Sequence, residues 1–265
     1  MSNMRFSSLG SGSSGNCLFV ETKHTRFLID AGFSGKQIEM QLRAIDVDPK
    51  TIDYILVTHE HQDHIKGVGI FARRYRIPVV ANYGTWKAME TCVGNLPEDL
   101  KLVFDSDKPF SIQDADIIAP RTSHDSAESC AYIIQSENKK ISVVTDTGII
   151  SENLQRHLKG SDVLFIEANH DVEMLEKGPY PMHLVKRIRS AHGHLSNEEC
   201  ARTLLDVMKG NGETILLGHL SHENNIPLLA MDTITNILQD SGVRVQKDIR
   251  MSTAKRNEHS GVVIL

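Results

Sequence analysis

The chain has 265 residues, enough for a single α/β domain (1–265) with a substantial core, and no Pro- or Ser-rich linker or low-complexity tract divides it. Its 29 basic and 34 acidic side chains leave a net charge of −5, which excludes a global attraction to nucleic acid. No apolar run is long enough to span a bilayer and the N-terminus lacks an h-region, so no membrane partner and a cytoplasmic location are expected.

Met4-Arg5-Phe6 and Cys17-Leu18-Phe19-Val20 read as strands, with the Gly/Ser-rich stretch from Ser7 to Asn16 as the hairpin loop between them. Small residues let backbone N–H groups approach an anion, which makes Ser11, Ser13 and Asn16 candidate substrate contacts. A plain turn explains the same composition, and the Lys-Ser/Thr ending of a nucleotide P-loop is missing. Phe27-Leu28-Ile29 is the next strand and runs into Asp30-Ala31-Gly32; a helix follows from Gly35 to Ala44.

Tyr54-Ile55-Leu56-Val57 reads as a buried strand that stops abruptly at Thr58-His59-Glu60-His61-Gln62-Asp63-His64. Imidazole and carboxylate are natural partners of zinc, manganese or iron, and a structural loop has little reason to concentrate them here. One such motif cannot fill two coordination spheres, and the chain supplies further ligands at matching places. His124 follows the strand-like Asp116–Ala119, Asp146 ends Ile141–Thr145, and His219 ends Thr214–Gly218. Each lies just past the carboxyl end of an apolar strand, where loops build sites on a rigid scaffold. Asp30 is placed to accept a hydrogen bond within the ligand loop.

Between these ligands, Pro78–Ala81 is strand-like; Tyr83 and Trp86 beyond it read as residues of a packed helix, with base stacking as the functional alternative. Lys186, Arg187 and Arg189 precede His192-Gly193-His194 and would face a phosphate backbone if they flank the cleft. Asn197–Met208 and Pro227–Leu238 read as helices, the first with Ser196 as N-cap and Glu199 completing a capping box. His222, three residues past His219, is a candidate substrate contact or support for the ligands, with a plain surface histidine as the alternative. Val262–Leu265 fits either an edge strand or a partner contact. The four cysteines, Cys17, Cys92, Cys130 and Cys200, form no C-x-x-C pair and read mostly as small core residues, not as a zinc ribbon or a disulfide framework.

In order, His59, His61, Asp63, His64, His124, Asp146 and His219 resemble the ligand set of the metallo-β-lactamase-fold hydrolases, and Asp30-Ala31-Gly32 resembles that superfamily's early Asp-x-Gly strand end. The resemblance implies a four-layer αββα sandwich holding two divalent metal ions, zinc or manganese. His59, His61 and His124 would hold one ion, Asp63, His64 and His219 the other, and Asp146 would bridge them. An aspartate at the bridge is typical of phosphodiester- and thioester-cleaving members, whereas the antibiotic-hydrolysing members have cysteine there. Five imidazoles favour zinc, and the carboxylate share keeps manganese close behind.

Glu167-Ala168-Asn169-His170, His192-Gly193-His194-Leu195-Ser196 and Gly218-His219-Leu220-Ser221-His222 resemble the tail of the superfamily's tRNA 3′-processing phosphodiesterases. There a Glu-Ala segment supports a proton-donating histidine, so Glu167 would be the support and His194 the acid. Ile166, Asn169 and Leu195 depart from that pattern. The stretch between His124 and Asp146 is too short for those enzymes' flexible arm, and the stretch from Thr147 to Gly193 is too short for a helicase-like insert. The compact form that remains resembles the bacterial YycJ/WalJ-type group, which implies a 5′→3′ DNA exonuclease linked to repair. The expected chemistry has two ions about 3.5–4 Å apart sharing a water made acidic enough to attack phosphorus. Asp63 belongs to this catalytic centre, and His194 protonates the leaving group. The partner is nucleic acid, with DNA the first choice, and a homo-oligomer is compatible. The alternatives are a cyclic or ribosyl phosphodiesterase and an RNA-processing nuclease. A thioesterase would leave His194 and Glu167 unexplained, and a binding scaffold would have no use for a full ligand set.

Overall fold

The computed structural model describes residues 4–265, and strands and helices alternate along them. Seven strands form the first sheet: β1 (Arg5–Gly10), β2 (Cys17–Glu21), β3 (Arg26–Ile29), β4 (Tyr54–Leu56), β5 (Val79–Asn82), β6 (Lys101–Phe104) and the short β14 (Val263–Ile264). Their order is β14-β1-β2-β3-β4-β5-β6. The second sheet contains β7 (Pro109–Ile112), β8 (Ala115–Ile118), β9 (Tyr132–Ser136), β10 (Lys139–Val144), β11 (Val163–Glu167), β12 (Thr214–Gly218) and β13 (Arg250–Thr253), in sequence order from one edge to the other. Each sheet begins as an antiparallel meander and continues as parallel strands, from β3 to β6 in one and from β10 to β13 in the other. The C-terminal segment left undecided by sequence is an edge strand, antiparallel to β1.

Alternation of side chains along each strand sets the layers. Phe27 and Ile29 face the second sheet while Leu28 faces helices; Val163 and Phe165 face the first sheet while Leu164 and Ile166 face helices. The inter-sheet layer packs Phe6, Leu18, Val20 and Leu56 against Tyr132, Ile134, Ile141, Val143 and Phe165. On one outer face lie α1 (Gly35–Ala44), α3 (Val68–Tyr75) and α4 (Tyr83–Val93), contributing Ile38, Leu42, Phe71, Trp86 and Met89. On the other lie α5 (Glu152–Leu158), α8 (Asn197–Val207) and α9 (Pro227–Asp240), contributing Leu154, Leu204, Ile234 and Leu238. Three apolar layers between four layers of secondary structure are the αββα sandwich that the sequence led us to expect.

Local chemistry accounts for the element ends. Ser34 and Ser196 cap α1 and α8, each in a reciprocal capping box, with Gln37 and Glu199 respectively. Helix α8 stops one residue earlier than expected because Met208 turns extended, and α9 runs two residues further. Trp86 is buried and donates to the Leu102 carbonyl, which makes it a core residue, while Tyr83 is exposed. Cys17, Cys130 and Cys200 are buried and free; Cys92 is exposed. Among the described residues no helix is long and apolar enough to cross a membrane.

The parallel strands of both sheets deliver their carboxyl ends to one side of the molecule. Gly32, just after β3, touches the loop after β4 so closely that a Cβ would sit 1.7 Å from the Asp63 carbonyl oxygen. We therefore expect Gly32→Ala to cost about 1–3 kcal/mol or more through backbone displacement, seen as a lower urea midpoint.

Candidate metal centre

The loop after β4 is shaped by a carboxylate beneath it. Asp30, buried at the end of β3, accepts from the Thr58 amide at 2.8 Å, from the Thr58 hydroxyl at 2.8 Å and from His64 Nδ1 at 2.7 Å. His61 begins the short helix α2 (Gln62–Ile65), which folds Asp63 and His64 back over His59. The Thr58 hydroxyl has one proton and gives it to Asp30, so His59 Nδ1, 3.0 Å away, is the donor to that oxygen. His124 Nδ1 likewise donates to the Gly193 carbonyl at 3.2 Å. Each of these rings has its Nδ1 hydrogen fixed and its Nε2 left for another partner, which is how metal-ligating histidines are oriented.

The ring centroids of His59, His61 and His124 lie 4.6, 5.2 and 5.1 Å apart. Ligand-capable atoms of these three approach within 4.8 Å of one another, as do those of Asp63, His64 and His219. Asp146 stands between the two sets. Its Oδ2 is 3.2 Å from His64 Nε2, and its Oδ1 is 3.3 Å from His219 Nε2 and 3.8 Å from His124 Nε2.

Two observations fit a cation here. His59 Nε2 is buried without a hydrogen-bond partner, an arrangement that costs stability unless its lone pair meets a cation. Burial first, and then the neighbouring His64, hold His59 well below the usual imidazole range, so it is neutral and able to ligate. His64 is the opposite: burial opposes its charge, but Asp30, Asp146 and Asp63 together push it well above the usual range, so a metal must displace its proton. Asp30, Asp146 and His219 all hold left-handed backbone, φ 60°, 54° and 52°. That conformation costs a non-glycine residue about 1 kcal/mol or more, and the surrounding bonds must enforce it.

Beside the ligands, Glu167 is fully buried at the end of β11. It accepts from His194 Nδ1 at 2.6 Å and from the Thr147 amide at 3.1 Å. His194 is pushed up to about 9: burial acts to lower it, and the charge and hydrogen bond of Glu167, with Asp146, prevail. His194, Asp146, Asp63, His61, His124 and His219 open onto one cavity of about 320 Å³.

The remaining sequence expectations divide. Ser13 lines the cavity. Ser11 and Asn16, expected to contact substrate, are buried beneath the ligands instead. The Ser11 hydroxyl accepts from the His219 amide at 2.9 Å and donates to Asn16 Oδ1 at 2.9 Å, and Asn16 Nδ2 lies 3.4 Å from Asp63 Oδ2. The Gly/Ser loop therefore supports the candidate ligands His219 and Asp63. His222 is exposed, pairs with Glu223 and does not line the cavity. Of the basic cluster, Arg187 lines the cavity and pairs with Asp125 at 2.5 Å, while Arg189 turns away to Glu176. Sequence reasoning missed the supporting Gly193 carbonyl and Thr147 amide, which are backbone groups without a residue signature, and the apolar rim formed by Tyr180, Leu184 and Ile188.

Comparison with known proteins gives a consistent picture. Residues 25–219 match the family model described as the β-lactamase superfamily domain. Exodeoxyribonuclease YycJ of Bacillus anthracis is 41% identical over 242 residues, 91% of this chain and 92% of that one. Exodeoxyribonuclease WalJ of Streptococcus pneumoniae is 41% identical over 249 residues, 93% of each. The crystal structure of the metallo-β-lactamase fold protein YhfI of Bacillus subtilis superposes with a TM-score of 0.76 over all of both chains at 16% identity, a likeness of fold.

Removing the support of His64 without removing a ligand isolates the role of Asp30. Asp30→Asn should weaken zinc or manganese binding about 10- to 100-fold, measured by calorimetric titration of chelator-treated protein. Because His64 must lose a proton on binding, the apparent affinity of the wild type should rise with pH.

Proposed function

From the premise that the chain belongs to the β-lactamase superfamily, and to the YycJ/WalJ-type exonucleases within it, we propose that it removes nucleotides stepwise from the 5′ end of DNA with two bound divalent ions, zinc or manganese. It is a hydrolase of phosphodiester bonds. A role in DNA repair, the second part of the proposal, rests on the group resemblance. One observation carries the chemistry: a buried Glu167–His194 pair stands directly beside two ligand trios with Asp146 between them.

His59, His61 and His124 would hold one ion and Asp63, His64 and His219 the other, with Asp146 shared. Bound there, the ions would acidify a water for attack on phosphorus and neutralise charge on the phosphoryl oxygens. The cavity itself calls for them: Asp63, Asp125 and Asp146 all line it, and a phosphodiester would be repelled by these carboxylates without compensating cations.

The protein's own groups handle the protons. His194 holds Nδ1–H against Glu167, whose charge favours the protonated ring, and the Nε2–H of that form would go to the departing sugar oxygen. After that transfer the neutral ring keeps Nδ1–H on Glu167, and the carboxylate fixes the tautomer that solvent reprotonates. Asp63, partly open to the cavity, would accept a proton from the attacking water. Its carboxyl is held below the usual range: burial alone would raise it, and His64 and His219 outweigh burial.

The test is a nuclease assay on end-labelled single- and double-stranded DNA and RNA, metal-free and with zinc or manganese. We expect metal-dependent stepwise loss from DNA 5′ ends, abolished by Asp146→Ala. His194→Ala should lower kcat about 10²- to 10⁴-fold. No cleavage of any polymer by metal-loaded protein would refute the reading and favour a small phosphodiester. Since Glu167 raises the pKa of the acid, Glu167→Gln lowers it. The acid form is then lost earlier on the alkaline side, and the descending limb of the kcat profile should move to lower pH.

A further inference from the structure

The candidate ligands make up one part of the cavity lining; another part has a different chemistry. Helix α7 (Met182–Ile188) follows α6 (Val172–Lys177) and turns Leu184, Arg187 and Ile188, three and four residues apart, toward the same space. Tyr180 completes this part from the connecting segment Gly178-Pro179-Tyr180-Pro181. A proline on each side limits Tyr180: Pro179 fixes its own φ, and Pro181 biases Tyr180 to extended backbone. Tyr180 is half-buried and lines the cavity, on a backbone with little conformational freedom to lose. In a cavity otherwise lined mostly by polar and charged residues, an apolar patch has no use in binding a phosphate or a metal.

A volume of about 320 Å³ lies at the lower end of the range for small-ligand sites, about 300–1,000 Å³. It suits one nucleotide unit and not a duplex. We infer that Tyr180, flanked by Leu184 and Ile188, is the platform on which the base of the nucleotide being released stacks, with Arg187 contacting a flanking phosphate. The inference rests on the exonuclease reading and deepens it. Stacking on a π-face suits every base, so the platform gives recognition of a nucleotide without sequence preference. Arg187 exchanges its Asp125 carboxylate for the phosphate, a swap between two anionic partners that leaves the guanidinium paired throughout.

The experiment compares wild type, Tyr180→Phe, Tyr180→Ala and Arg187→Ala on two DNA substrates, one with a normal 5′-terminal nucleotide and one whose terminal nucleotide is abasic. Binding is read in parallel on Asp146→Ala backgrounds by anisotropy, and by fluorescence of 2-aminopurine at the 5′ terminus. We expect Tyr180→Ala to lose about 5- to 150-fold in kcat/KM on normal DNA, Tyr180→Phe to retain activity, and the abasic end to cost the wild type a similar factor but cost Tyr180→Ala nothing further. 2-Aminopurine should be quenched by the Phe variant as by wild type, and not by the Ala variant. Arg187→Ala should weaken both substrates equally. DNA that binds and is cut, with Tyr180→Ala equally slowed on both ends or not slowed at all, would overturn the platform and leave the exonuclease reading standing. Absence of any DNA binding or cleavage by wild type would remove both.

Discussion

The loop that carries four of the candidate ligands depends on one buried carboxylate. Asp30 is enclosed between sheet and helix and would be costly there unpaired, but it meets three donors, two from Thr58 and one from His64. Those bonds do more than satisfy it. They stop β4 at the right residue, settle which way the Thr58 hydroxyl points, and through that hydroxyl settle the tautomer of His59. Two ligand rings are thus aimed by one acceptor that never needs to touch a metal. The left-handed backbone at Asp30 itself is the cost of placing a carboxylate at the exact end of a strand.

The same arrangement recurs at a larger scale. In both sheets an antiparallel meander gives way to parallel strands, and parallel strands must be joined by crossovers that bring the chain back outside the sheet. The crossover helices cover the outer faces, so the strand ends on one side remain free to carry polar loops. Glu167 shows how fine the boundary is. As the last residue of β11 it is entirely buried, yet it still reaches His194 at the cavity edge.

Much of this was written in the residues. The His/Asp motif, the isolated His124, Asp146 and His219 after apolar runs, and the capping box at Ser196 are local signals, and local physics fixes them. What was illegible depends on long-range placement. Ser11 and Asn16 look like an exposed anion loop in isolation; they are buried because the loop folds under β12 and the Asp63 segment, a contact spanning the whole chain. His222 looks functional by proximity in sequence, but the turn after His219 carries it outward. Tyr180 left a readable trace, a proline on either side, whose meaning appears only once α7 is seen against the ligands.

The distribution of ligands between the halves of the molecule has a mechanical side. Each trio takes two side chains from the loop after β4, in the first sheet, and one from a loop of the second: His124 in one case, His219 in the other. A cation held by either trio is therefore a clasp across the sandwich, and Asp146 ties the clasps together from the second sheet. Opening the sheets would then require releasing any cation so held, and metal supply would set how long the fold resists shear, heat and proteases.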